Sequence, residues 1–356
     1  MLVALSRSDR RVIAGGVVLT ALAGVTRYVD INDVFAFVVA GLTIAALATL
    51  VGRSVDQLGD RLGAGATGVL QSALGNLPEL FVCLFALRAG LVDVVQAAVI
   101  GSILGNVLLV LGLAFLVGGL RHGTQRFDSD RARTINAMML LAVAAMLIPS
   151  LTHAVHTPAA SHERALSDIA AVVLLVVFAC SVPASIRRSA DESAAAHDAA
   201  HEGKWPLTFA VAMLAVAGVL SAFVSDWFVH ALQPAITTLH ISDTFAGLVI
   251  VAIAGNAVEN VVGIQLAARN QADYALSVIL NSPLQIALVL APALVLLSYV
   301  VGGAAFTLVF PPALVAVVIA SVLSVTLVII DGESFWLEGA ALLGLYVVIA
   351  SSFWWG

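Results

Sequence analysis

Charge is scarce in this chain. Asp, Glu, Lys and Arg make up 11% of its 356 residues, where a soluble domain carries about a quarter, and 61% of the residues are hydrophobic. That balance excludes both a water-soluble globular protein and a disordered one. Sixteen Lys and Arg against 22 Asp and Glu leave a net charge of −6, so there is no basic excess to meet phosphate, and no nucleic-acid partner is expected. Cysteine is nearly absent. Cys83 and Cys180 both lie in apolar runs, which excludes a disulfide scaffold or zinc site and predicts two small buried hydrophobes. What the chain has in abundance is long apolar sequence. The class this leaves is an all-α, polytopic membrane protein whose surroundings are the lipid bilayer.

A bilayer core about 30 Å thick takes about 20 apolar residues per helix. Eleven stretches qualify, near 12–27, 34–52, 63–87, 94–120, 134–151, 166–186, 206–228, 242–268, 273–300, 304–330 and 336–355. The third, fourth, eighth, ninth and tenth are long enough to tilt or break within the membrane. Arg7, Arg10 and Arg11 before the first resemble the start of a signal peptide, but ten spans behind it point to an uncleaved helix. With the N-terminus cytoplasmic, inside segments carry thirteen cations: Arg7, Arg10, Arg11, Arg53, Arg61, Arg121, Arg126, Arg131, Arg133, Arg187, Arg188, Lys204 and Arg269. Outside segments carry three, Arg27, Arg88 and Arg164. The positive-inside rule therefore supports eleven helices, N-terminus in and C-terminus out.

Two of these spans share a motif. Gly75-Asn76-Leu77-Pro78-Glu79 and Gly255-Asn256-Ala257-Val258-Glu259 both read G-N-x-x-E and lie 180 residues apart. Ser102 and Asn106 follow in the next span of the first half, Asn281 and Gln285 in that of the second. A repeat of about this length divides the chain into an extra N-terminal helix (1–30), a five-helix half (31–186), a cytoplasmic linker (187–205) and a second five-helix half (206–356). Five is odd, so the second half enters the membrane inverted, the plan of many secondary transporters.

Glu79 and Glu259 lie deep in apolar spans, where a carboxylate costs at least a few kcal/mol and marks function by default. Asn76 and Asn256 precede them by one helical turn, and Ser102/Asn106 and Asn281/Gln285 are four apart on one face. Gly75, Gly255 and Pro78 weaken the helices and free carbonyl oxygens, which irregular membrane backbone can offer to an ion. An antiparallel crossing of the third and eighth spans would bring the glutamates together near the midplane. Carboxylate, amide and carbonyl oxygens without His or Cys suit a hard cation, and Ca²⁺ fits better than Mg²⁺ or Zn²⁺. Two desolvated carboxylates in one site hold protons when metal is absent, and a divalent cation expels them. Competition between Ca²⁺ and H⁺ for one site is the chemistry of an exchanger. No Lys or Arg lies inside a span to neutralise either glutamate; Arg88 and Arg269 sit at helix ends, where they snorkel outward.

Other polar groups read as solvated. His197 and His201, with Asp191, Glu192, Asp198 and Glu202, form a charged linker; His153, His156 and His162 lie in an outside loop. Asp331, Glu333 and Glu338 make an acidic turn that ends helices, and Asp168 and Asp226 lie near span ends.

The segments GNLPEL at 75–80, GSILGN at 101–106, GNAVEN at 255–260 and NSPLQIAL at 281–288 resemble the cation/proton exchangers of the Ca²⁺/cation antiporter superfamily. The resemblance covers nearly the whole chain. It implies that Glu79 and Glu259 carry cation and proton, that Asn76, Asn256, Gly75 and Gly255 shape the site, and that Asn106 and Gln285 are polar neighbours. Asn260 stands where many relatives carry His, and Pro78 is similar to the Na⁺/Ca²⁺ branch. The expected function is a Ca²⁺/H⁺ antiporter working by alternating access, with Ca²⁺ and H⁺ as transported ions and no prosthetic group. Na⁺/Ca²⁺ exchange is the nearest alternative and a passive cation channel a more distant one. A hydrolase is not expected, since H-E-x-x-H and G-x-S-x-G are missing. The expected location is a bacterial inner membrane; monomer and homo-oligomer both stay open.

Overall fold

A computed structural model describes residues 5–29, 32–62, 74–195 and 205–355. The fold is all-α and that of a membrane protein. Six helices among the described residues are long and apolar enough to cross a bilayer: Asp33–Leu58, Val92–His122, Ser129–Ala154, Pro158–Ser181, Leu207–Leu239 and Ala272–Val301. A bent pair makes a seventh, and Pro312–Val328 and Trp336–Ser352 are shorter apolar helices. Residues 63–73 of the third expected span, and His197, Asp198, His201 and Glu202 of the linker, lie outside the described residues.

The chain forms two packed units, each drawing on sequence from both sides of the linker: 1–85 with 176–239, and 86–175 with 240–356. The first is built on α1 (Arg7–Tyr28), α2 (Asp33–Leu62) and the helix Leu207–Leu239. Ile44, Leu47, Val51, Val55 and Leu58 recur every three or four residues along α2 and are all buried. Gly41 admits the Phe228 ring, which stacks on Phe37 at 4.8 Å. Asp9 ties together the start of α1, the last third of α2 and the residue just before the helix Leu207–Leu239. Its carboxylate accepts the N3 bond of a capping box with Ser6, a 2.7 Å ion pair from Arg53 and a hydrogen bond from Trp205 Nε1. Trp205 is buried, and its backbone N–H donates to Gln57 Oε1 at 2.7 Å.

The second unit centres on the helix Val92–His122, long enough to tilt or break, which runs on through a π-turn at Gly105–Val110. Gly101 and Gly247 are reciprocal contact points on this helix and Asp243–Gly255: a Cβ on either would collide with the other helix's backbone, at Leu248 or Val94. Gly112 and Gly339 repeat the device against Trp336–Ser352.

The tenth expected span, 304–330, needs correction. The helix starts only at Pro312, and the residues before it are irregular, with Phe306, Leu308 and Phe310 buried at no more than 3% exposure. Proline pushes the preceding residue out of the helical region, and the Pro311-Pro312 pair offers no N–H. Buried irregular backbone needs partners, and side chains supply them. Ser298, Ser167 and Ser150 Oγ accept from the N–H groups of Phe306, Leu308 and Phe310 at 3.1, 3.0 and 2.9 Å. Ser150 Oγ donates to Leu308 O, and Gln96 Nε2 to Val309 O.

Cys83 is buried as expected, but Cys180 is exposed, because a helix in a bilayer can turn apolar side chains outward to lipid. The acidic turn ends helices: Glu338 Oε2 accepts from Phe335 N, and Glu333 pairs with Arg126 at 3.0 Å beside a two-residue β-ladder, Gln125–Arg126 with Glu333–Ser334. His153 pairs with Glu163 at the surface, and Tyr299 donates to Asp168.

Candidate cation site

In the first unit the helix Leu77–Arg88 begins just after a turn at Gly75-Asn76, with Leu80 N–H donating to Asn76 O at 2.9 Å. Pro78, at the second helical position, gives up a donor that had no intrahelical partner. Glu79 follows in the first turn, where the helix dipole favours negative charge, and is 1% exposed. Asn76 is buried, and its Nδ2 has no hydrogen-bond partner among the described residues.

In the second unit Asn256 breaks the eighth span. It sits at φ −100°, ψ 20° between Asp243–Gly255 and Ala257–Ala267, and the segments on either side bend by 66°. Glu259 is again the third residue after the break, equivalent in register to Glu79. Its side chain lies outside the described set.

The Asn256 side chain is buried in a polar knot. Its Oδ1 accepts from Asn106 Nδ2 at 3.2 Å and from Ser282 Oγ at 3.3 Å. Its Nδ2 donates to Ser102 Oγ at 3.0 Å and to Ala252 O at 2.9 Å. Asn106 Nδ2 also donates to Ser102 O, while Asn106 Oδ1 has no hydrogen-bond partner among the described residues. Asn106 lies in the π-turn of Val92–His122, and Ala246–Val251 and Ile286–Leu290 are π-turns in the other two helices of the knot. Such turns shift the register of a helix and recur at functional sites.

The knot therefore brings together Ser102, Asn106 and Asn256, three of the residues singled out by sequence. Asn281 is not among them: its Nδ2 turns back to Ser277 O at 2.7 Å. Ser282, the next residue, takes that place; only its position beside Asn281 and before Pro283 hinted at it. Gln285 is half-buried just before its π-turn, and Gly75 and Gly255 are half-buried at the two breaks. Among the described residues no three His, Cys, Asp or Glu side chains cluster to hold a metal.

Residues 33–187 and 209–355 match the family model of the sodium/calcium exchanger protein. The chain belongs to that family. Within it, this exchanger-family protein sits with the calcium/proton antiporters. It is 34% identical to the Ca(2+)/H(+) antiporter of Aphanothece halophytica, over 90% of each chain. It is 34% identical to the Ca(2+)/H(+) antiporter ChaA of Bacillus subtilis (strain 168), over 96% of this chain and 97% of the relative. Its fold is similar to the solved structure of native YfkE, with a TM-score of 0.80, 32% identity and 97% and 98% of the two chains covered.

Proposed function

We propose that this protein exchanges Ca²⁺ for protons across a membrane by alternating access, with Glu79 and Glu259 as the carboxylates that carry cation and proton in turn. The observation that carries the reading is the doubled motif: each helix break is followed at the third helical residue by a glutamate and preceded by a glycine and an asparagine. Asn76, Asn106, Asn256 and Ser102 supply neutral oxygens, and Gly75, Gly255, Asn281 and Gln285 shape their surroundings. A carboxylate of this kind binds either a divalent ion or a proton, so loading one releases the other. The relatives named as Ca(2+)/H(+) antiporters support this choice of ions.

The architecture proposed with it is eleven membrane helices: one extra (1–30), then two inverted five-helix repeats (31–186 and 206–356) joined by the linker 187–205. The N-terminus is cytoplasmic and the C-terminus outside, in a bacterial inner membrane. No prosthetic group takes part.

The test is flux of radiolabelled Ca²⁺ in vesicles carrying the protein, under an imposed pH gradient and, separately, a Na⁺ gradient. Uptake driven by the pH gradient and lost in Glu79→Gln and Glu259→Gln is expected. Uptake driven only by Na⁺ would favour Na⁺/Ca²⁺ exchange, the reading that Pro78 keeps open. Flux that needs neither gradient would mean a channel.

A further inference from the structure

The first unit contains a cavity of about 290 Å³ that the transport chemistry does not use. Its wall carries Thr26, Arg27, Tyr28, Asp33, Trp227 and His230, over a floor of alanines. It lies at the corner where α1 ends at Tyr28 and α2 starts at Asp33. Trp227 sits twenty residues beyond Leu207 on its own helix, or about 30 Å along it, the thickness of a bilayer core. The cavity is therefore at a membrane–water interface, at the far end of these helices from the Asp9 cluster.

Three features of the wall identify an occupant. Both signs of charge face one space: among the described residues neither Arg27 nor Asp33 forms an ion pair, although ion pairs elsewhere are formed by Arg53 and Arg126. A bare phosphate on Arg27 would share the cavity with the Asp33 carboxylate, whereas a zwitterion offers a partner to both. Aromatic rings line the same space, with Tyr28 and Trp227 edge-to-face at 6.4 Å and the Arg27 guanidinium 5.8 Å from the Tyr28 ring; rings of this kind also favour an ammonium group. The volume is at the small end of ligand pockets, which run from about 300 to 1,000 Å³, so it takes a headgroup and leaves chains outside. Phe223, one turn deeper on the face of Trp227, is 57% exposed and offers those chains an apolar track.

We infer that this cavity binds the headgroup of a zwitterionic, amine-bearing phospholipid, with the phosphodiester on Arg27 and the ammonium between Asp33 and the aromatic rings. The inference is independent of the transport reading.

Native mass spectrometry of the full-length protein in detergent tests it, titrating dioleoyl phosphatidylethanolamine, dioleoyl phosphatidylglycerol with the same chains, and inorganic phosphate. One phosphatidylethanolamine retained per chain is expected, bound about fivefold more weakly by Arg27→Gln and by Asp33→Asn, and excluded by Ala36→Leu, which fills the floor. Melting curves report folding of each variant, and if one fails the others carry the comparison. Equal retention of phosphatidylglycerol, displacement of the lipid by inorganic phosphate, or unchanged binding in the folded variants would overturn the assignment.

Discussion

Asn256 Oδ1 accepts a hydrogen bond from Asn106 Nδ2 at 3.2 Å, tying the break in one membrane helix to the π-turn of another. Both side chains are buried to 2% exposure or less, so neither amide has water to fall back on. Asn106→Leu leaves Asn256 Oδ1 with Ser282 alone and should cost about 1–3 kcal/mol of stability. A lowered melting midpoint and an exchange rate down by roughly tenfold are expected, the latter because residues that orient ligands typically matter on that scale. Unchanged exchange would remove the knot from the transport site.

Ser282→Ala separates the knot from the ligands that sequence suggested. Losing its hydroxyl should raise the Ca²⁺ concentration needed for half-maximal exchange, whereas Asn281→Ala, which disturbs only a bond to Ser277 in its own helix, should have the smaller effect. Ca²⁺ titrations of vesicle uptake for the two variants decide the order.

The reciprocal glycines allow a sharp contrast. Gly101→Ala and Gly247→Ala drive a methyl into backbone atoms of a neighbouring helix, which side-chain repacking cannot relieve, so folded protein should fall below detection by size-exclusion chromatography. Gly218→Ala, whose Cβ meets nothing within 4 Å, should fold normally.

Asp9 sets a pH dependence. Partial burial pushes its carboxyl up, but hydrogen bonds from Ser6, Trp205 and Arg53 outweigh it and hold the group below the ordinary aspartate value. A depressed folded-state value contributes stability that is present above the unfolded value, near 3.9, and lost as pH falls through the folded one. Asp9→Asn should therefore lower the melting midpoint at pH 7, by less than about 1 kcal/mol, with the gap to the native protein closing as acid protonates the folded-state carboxyl. A gap that widens in acid would contradict this arrangement.

Much of this was legible in sequence because hydropathy and glycine–asparagine breaks are local signals. The helices through Ile44, Val99 and Leu232, and the two interruptions before Glu79 and Glu259, follow from them directly. Residues 304–310 do not: they are as apolar as a helix, and what keeps them out of one is a proline pair together with serines about 140 to 160 residues away in the chain. The exchange of Asn281 for Ser282 escaped for a related reason. Spacing within Ala272–Gln285 puts Asn281 and Gln285 on one face, but Asn256, on another helix, is what selects Ser282. Cys180 shows that an apolar run marks membrane, not interior.

The serine-held segment also has a consequence for how the second unit closes. The N–H groups of Phe306, Leu308 and Phe310 are satisfied by Ser298, Ser167 and Ser150, and the last two lie far earlier in the chain. The stretch ahead of Pro312 therefore finds its partners across about 140 to 160 residues of chain, so its docking is a long-range rather than a local step in building the second unit.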